Sequence, residues 1–210
     1  MLRILSVVAA LQTLAWTSAL ACTGQVGAVI FQDNFADATG GWDATVKPPV
    51  FLLSGNATST GSSSLNLTFN AIDGDYCMDF ILPPAIATDN PTHAAIIFWA
   101  TSDYNNMMEL ILYSDGTVQL SKELASNWSN IFSVPNAPGF NSAPNAVNSL
   151  RVTALAGTIT AYLNGKQVQA VRAQEPPSAN SSFGVDGGDA TAVANPPPIQ
   201  IKGYSVTAGK

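Results

Sequence analysis

The 210-residue chain is 47% hydrophobic but only 10% charged, against roughly 25% charged in an average soluble domain. Eight Lys plus Arg against 14 acids, a formal net charge of −6, exclude a charged disordered chain, a grip on nucleic-acid phosphates and attraction to an anionic membrane surface. Thirteen Pro, 16 Gly and 11 Asp against 3 Glu leave little material for exposed helices and much for turns, so an all-β fold is expected.

Residues 1–21 read as a signal peptide: Arg3 is a short basic start, 4–16 an apolar run, and Ala19-Leu20-Ala21 a small-x-small cleavage pattern. The run is short for a membrane-spanning helix, and no later stretch is longer, so no transmembrane segment is expected. The expectation is an exported protein, secreted or periplasmic, with a single β-sandwich domain over 22–210. Cys22 follows the cleavage point and leaves two readings open. It forms a disulfide with Cys77, the only other cysteine, or it is acylated as a lipid anchor. Asn56, Asn66, Asn127 and Asn180 each open an Asn-x-Ser/Thr triplet, a glycan acceptor only in a secreted eukaryotic protein.

Short segments of period 2 then follow, divided by turn chemistry: 32–35, 50–54, 64–70, 75–82, 94–101, 107–114, 117–122, 150–154, 158–163, 167–172, 182–185 and 199–207. Asp115-Gly116, Ala156-Gly157 and Asn164-Gly165 are hairpin signals, since both central positions of such turns take positive φ. Residues 121–128 read as a possible single helical turn. Many short, evenly spaced strands predict two packed antiparallel sheets rather than a barrel.

The runs Asn148-Ser-Leu-Arg-Val-Thr, Gly157-Thr-Ile-Thr-Ala-Tyr-Leu-Asn-Gly-Lys, Phe183-Gly-Val and Ile199-Gln-Ile-Lys-Gly-Tyr-Ser-Val resemble the second half of concanavalin A-like domains. Asp33-Asn-Phe35 followed by Gly40-Gly-Trp42 resembles the first strand of the laminin G-like and 3-keto-disaccharide hydrolase-like members. The resemblance implies a jelly-roll sandwich of two curved antiparallel sheets whose concave face commonly meets carbohydrate.

Strand alternation selects candidate contacts. Trp99 opposes Ile96, Phe98 and Ala100; Glu109 and Tyr113 oppose Met108, Leu110 and Leu112; Gln119 opposes Val118 and Leu120; Arg151 and Tyr162 oppose their apolar neighbours. Collected on one face, Trp99, Glu109, Tyr113, Gln119, Arg151 and Tyr162 supply the rings and hydrogen-bonding groups a sugar needs, and Trp128 is a separate loop candidate. Catalytic machinery is thin. No Glu-x-Asp-x-Glu strand places two carboxyls side by side, His93 is the lone histidine and reads as a surface or strand-edge residue, and no Gly-x-Ser-x-Gly elbow occurs. The Asp73-Gly74-Asp75 and Asp186-Gly187-Gly188-Asp189 runs read as turn loops that Ca²⁺ would favour, with Asp33, Asp37, Asp186 and Asp189 as candidate ligands.

The leading expectation is a non-catalytic, lectin-like protein that binds carbohydrate or an extracellular surface glycan. The alternatives are a glycoside hydrolase of the 3-keto-disaccharide hydrolase type, using Glu109 with Asp103 or Arg151, and a structural or adhesive surface domain.

Overall fold

The computed structural model describes residues 22–43, 51–53, 62–83, 91–176, 181–188 and 198–209; segment 1–21, Asn56, Asn180 and Asp189 lie outside them. Thirteen strands and no helix occur among the described residues: β1 (Val29–Asp33), β2 (Phe51–Leu53), β3 (Ser62–Asn66), β4 (Gly74–Ile81), β5 (His93–Ala100), β6 (Asn106–Tyr113), β7 (Val118–Leu124), β8 (Asn127–Val134), β9 (Val147–Leu155), β10 (Thr158–Leu163), β11 (Lys166–Val171), β12 (Ser182–Gly188) and β13 (Ile199–Ala208). One sheet runs β1-β13-β4-β9-β10-β11 with β2 also on β13, and the other runs β3-β12-β5-β6-β7-β8. The strand pairings are antiparallel, so the expected all-β sandwich of two antiparallel sheets is what the chain forms. No helix among the described residues is long and apolar enough to cross a membrane.

Alternation sends one side chain in two to the interface between the sheets. From the first sheet come Tyr76, Met78, Phe80, Leu150 and Val152; from the second come Met108, Leu110, Leu112, Val118 and Leu120, all at most 1% exposed. Phe183 on β12 and Tyr204 on β13 stack across that interface, ring centroids 5.7 Å apart and planes 11° apart. The glycine after Phe183 has a steric reason, because a Cβ on Gly184 would lie 2.2 Å from the Ser64 carbonyl oxygen of β3.

Two departures from simple alternation matter for the site. Against β12, Ser182 pairs with Ala100 and Gly184 with Ile97, so β5 carries one extra residue there, and Trp99 takes a positive φ of 55°. Such a bulge shifts the side-chain phase by one. Phe98 and Trp99 therefore both face the core, while Ile97 and Ala100 both face outward. The second departure is at 121–128, where no helical turn forms. β7 and β8 make a hairpin whose central residues, Ala125 and Ser126, take φ of 48° and 63° without a glycine. Asn106 holds this turn, its side-chain oxygen accepting from the Ala125 N–H at 3.1 Å.

Cys22 and Cys77 form a disulfide, with Cα atoms 5.8 Å apart. A sulfur so bonded cannot also carry an acyl anchor, which sets aside the lipidated reading of Cys22. The following residues lie along the outer face of the first sheet, where the Gln25 side chain donates to the Asp75 carbonyl at 2.7 Å and Thr207 donates to the Val26 carbonyl at 2.8 Å.

Candidate functional site

The outer face of the second sheet is hollowed into a groove of about 520 Å³. Glu109 and Tyr113 of β6, Gln119 of β7, Trp128 of β8, His93 of β5 and Asp186 of β12 all line it. Their partners in alternation, Leu110, Leu112, Val118 and Leu120, are anchored in the core, so the floor is held by the same packing that holds the sandwich. Adjoining it on this face, Leu65, Ile97, Ala100 and Met107 form a small apolar patch with Tyr104 packed against it.

Glu109 sits in the middle. It is 6% exposed, and no described residue makes a hydrogen bond to its carboxyl. Burial raises its pKa well above the ordinary carboxylate value, and the charges of Asp186 and Glu123 push the same way. Glu109 pairs with Ser121, and Glu123 pairs with Met107. Glu123 is thus the diagonal cross-strand neighbour of Glu109, at a typical separation of about 7–8 Å. Trp128 lies directly opposite Glu123 in the β7–β8 ladder and remains 52% exposed, so its ring forms an accessible wall.

At the other flank, His93 Nε2 lies 3.0 Å from Asp186 Oδ2, and Ser63 donates to Asp186 Oδ1 at 2.5 Å. The Nδ1 atom of His93 is buried without a partner. The His93 and Tyr113 rings lie with centroids 5.7 Å apart, and Gln119 Nε2 donates to Ser121 Oγ at 2.7 Å. The groove thus joins rings, amides, hydroxyls and a carboxyl that no described residue hydrogen-bonds, all of which a polyhydroxylated ring can use.

The raised Glu109 pKa carries a stability consequence. Between the ordinary carboxyl pKa and the raised one, the folded chain keeps a proton that the unfolded chain has lost, so stability declines as pH rises through that window, with a limiting slope of about 1.4 kcal/mol per unit. Glu109→Gln removes that titration and leaves the other acids unchanged. Urea unfolding followed from about pH 4 to about pH 8 should show the variant gaining on the wild type as pH rises; parallel curves would contradict the assignment.

The structure distributes the sequence candidates differently from the single face expected. Glu109, Tyr113, Gln119 and Trp128 come together in the groove, with Trp128 on β8 rather than in a loop. Trp99 does not join them: it is 1% exposed, with its indole N–H donating to the Ile72 carbonyl at 2.7 Å, because the β5 bulge turns it inward. Arg151 and Tyr162 lie on the other sheet, where the guanidinium donates twice to Asp75 at 2.8 and 2.7 Å and stands 4.8 Å over the Tyr162 ring. Asp103 is in the turn between β5 and β6, tied to Thr101 and Asn105. Neither Asp103 nor Arg151 is therefore the partner of Glu109 that a hydrolase would need.

The calcium candidates are also dispersed. Asp33 accepts from the Phe35 N–H at 2.6 Å and the Trp42 indole at 2.7 Å, and Asp37 from the Thr39 N–H at 2.9 Å. Asp186 is a strand residue of β12 rather than part of a turn loop. In the other run, Asp73 accepts from the Ala156 N–H at 2.9 Å while Asp75 holds Arg151. Among the described residues, the one group of three or more metal-ligating side chains whose donor atoms cluster is Cys22, Cys77 and Asp79, and both its sulfurs are already spent in the disulfide. Of the described Asn-x-Ser/Thr sites, Asn127 is exposed, whereas Asn66 is fully buried and donates to the Gly40 carbonyl at 2.6 Å.

Sequence reasoning missed His93 and Asp186 as groove residues and Glu123 as the acid at its edge. They stand on three different strands, and the pairing of β12 with β5, which brings residue 186 to residue 93, spans 93 positions of sequence. The parity of residue 123 with 119 and 121 was the available signal for Glu123.

No protein-family model and no curated protein matches the sequence. Solved structures do. The carbohydrate binding module CBM66 from Bacillus subtilis superimposes with a TM-score of 0.59 at 15% identity, covering 80% of this chain and 95% of that one. The potassium-bound carbohydrate recognition domain of Emp46p gives 0.61 at 12% identity, covering 85% and 96%. A Bacillus licheniformis β-glucanase gives 0.58 at 14% identity, covering 87% and 99%. At such identities the shared property is the architecture: by its strand order, its pairings and these superpositions the chain has an all-β jelly-roll sandwich fold.

Proposed function

We propose that this protein is an exported carbohydrate-binding protein and that the groove on the β3-β12-β5-β6-β7-β8 sheet is its binding site. The observation that carries the reading is Glu109: a largely buried residue whose carboxyl opens into the groove and makes no hydrogen bond among the described residues, in the same groove as the accessible Trp128 ring. A carboxyl held in a partly desolvated groove, with its oxygens not spent on protein donors, is free to accept hydrogen bonds from a ligand. A sugar does so with its hydroxyls while its C–H face stacks on Trp128 or Tyr113. The solved structures of similar fold include a carbohydrate binding module and a carbohydrate recognition domain, which supports the same reading. The disulfide supports export, since such bonds persist in oxidising compartments.

A glycan array should give saccharide binding, and Trp128→Ala should weaken the best binder about tenfold or more, as expected for an aromatic anchor at the centre of a contact. Tyr162→Ala, on the opposite sheet, should leave affinity unchanged. An array without binders, or a Trp128→Ala protein of undiminished affinity, would overturn the proposal.

One observation favours a second reading. A glutamate whose pKa burial raises, with two further carboxyls pushing the same way, has the attributes of a general acid in glycoside hydrolysis. The second carboxyl would then be Glu123 or Asp186. Release of reducing ends from a bound polysaccharide, abolished in Glu109→Gln, would establish that chemistry.

A further inference from the structure

We propose that the groove takes a saccharide bearing a free primary amine, its ammonium group seated on Glu109 between Asp186 and Glu123. This deepens the carbohydrate reading and rests on it. The groove lining contains three acids' worth of field and no Lys or Arg: Glu109 and Asp186 line it directly, and Glu123 borders it beside Trp128. The one side chain there able to become cationic, His93, is already turned toward Asp186. An anionic sugar would meet the charges of Asp186 and Glu123 and keep Glu109 from ionising, whereas a neutral one would leave that field unused.

A metal ion is a poorer match than an amine. Glu109, Glu123 and Asp186 are not among the side chains whose donor atoms converge within 4.8 Å. An ammonium is also attracted by the ring faces of Trp128 and Tyr113, which an oxygen-ligated cation would not use. The Glu109 carboxyl supplies the site itself, because it opens into the groove and no described residue uses its oxygens, which leaves them to accept from an ammonium.

Seating the amine involves a proton. Among the described residues, the titratable groups around Glu109 are Asp186 of β12 and Glu123 of β7, which raise its pKa, Tyr113 on its own strand, and His93 of β5, which faces Asp186. The carboxyl is therefore held toward its protonated form in the empty groove. An arriving ammonium stabilises the carboxylate, so the Glu109 proton passes to buffer while the ligand keeps its three N–H donors.

The test is isothermal titration of the full chain with the β-1,4 glucosamine hexamer, its N-acetylated counterpart and cellohexaose, in two buffers of different ionisation enthalpy. The expected result is affinity for the free-amine hexamer about tenfold or more above the other two, about 1.4 kcal/mol. Proton release should accompany that hexamer alone. Glu109→Gln should abolish both the preference and the proton release, and Glu123→Gln, at the edge of the groove, should reduce the preference and still fold. The inference is overturned if the N-acetylated or neutral hexamer binds as tightly as the amine, or if both variants retain the preference. Should none of the three bind while the array yields other saccharides, the amine inference fails and the carbohydrate reading stands; should the array also be empty, both fail.

Discussion

Trp99→Ala is expected to destabilise the protein by about 3–5 kcal/mol, the usual cost of emptying a buried large-aromatic site, while leaving saccharide affinity at low temperature unchanged. The side chain is 1% exposed, packs at 5.5 Å centroid distance from Phe98, and satisfies the Ile72 carbonyl with its indole N–H. Truncation opens a cavity and orphans that carbonyl together. Trp99→Phe keeps most of the volume and loses the N–H, so about 1–2 kcal/mol is expected. Chemical unfolding of the two variants beside Trp128→Ala separates the two tryptophans, since Trp128 should cost binding and little stability. Equal loss of affinity in Trp99→Ala and Trp128→Ala would show that the inward turn at the β5 bulge is wrong.

The second large effect is Arg151→Ala. It leaves the Asp75 carboxylate, whose side chain is 3% exposed, buried without its bidentate partner. Breaking one side of a buried pair typically costs about 3–5 kcal/mol, and about 3 kcal/mol is expected here because the guanidinium side chain keeps 15% exposure. Loss of the contact with Tyr162 adds to this. Arg151→Lys should recover only part, since an ammonium cannot reproduce the two parallel hydrogen bonds. Arg151→Ala with Asp75→Asn should be less damaging than the two single changes added together, which a double-mutant cycle in urea reads directly. Retained saccharide binding in Arg151→Ala is part of the expectation, because this pair lies under the N-terminal segment on the sheet away from the groove.

What the sequence made legible follows from where period 2 ran unbroken. Over β6 it separated Glu109 and Tyr113 from Met108, Leu110 and Leu112, and over β7 it separated Gln119 from Val118 and Leu120, as the fold does. The Asp-Gly and Asn-Gly pairs marked their hairpins because positive φ leaves few choices of residue; Asn164 and Gly165 adopt 48° and 77°. At Trp99 the reading failed because one inserted residue reverses the parity of the strand without altering its composition. The Ala125-Ser126 turn was illegible because it borrows its stability from Asn106, 19 positions back.

The larger loss lay in joining strands into sheets. Alternation tells which residues of one strand share a face and says nothing of which sheet that strand enters. Arg151 and Tyr162 were therefore grouped with Glu109 and Tyr113, although β9 and β10 belong to one sheet and β6 to the other. His93 reads as a strand edge and Asp186 as a turn in sequence, because the pairing that makes them neighbours exists only once β12 is seated on β5.

The most direct test of the groove as binding site is amide and indole NMR shift mapping during titration with the tightest saccharide from the array. The account predicts shifts at the Trp128 indole N–H and the side-chain amides of Gln119 and Asn130, with Tyr162 and the Arg151 guanidinium unmoved. Shifts confined to the Arg151–Tyr162 face, with the Trp128 indole silent at saturation, would contradict it.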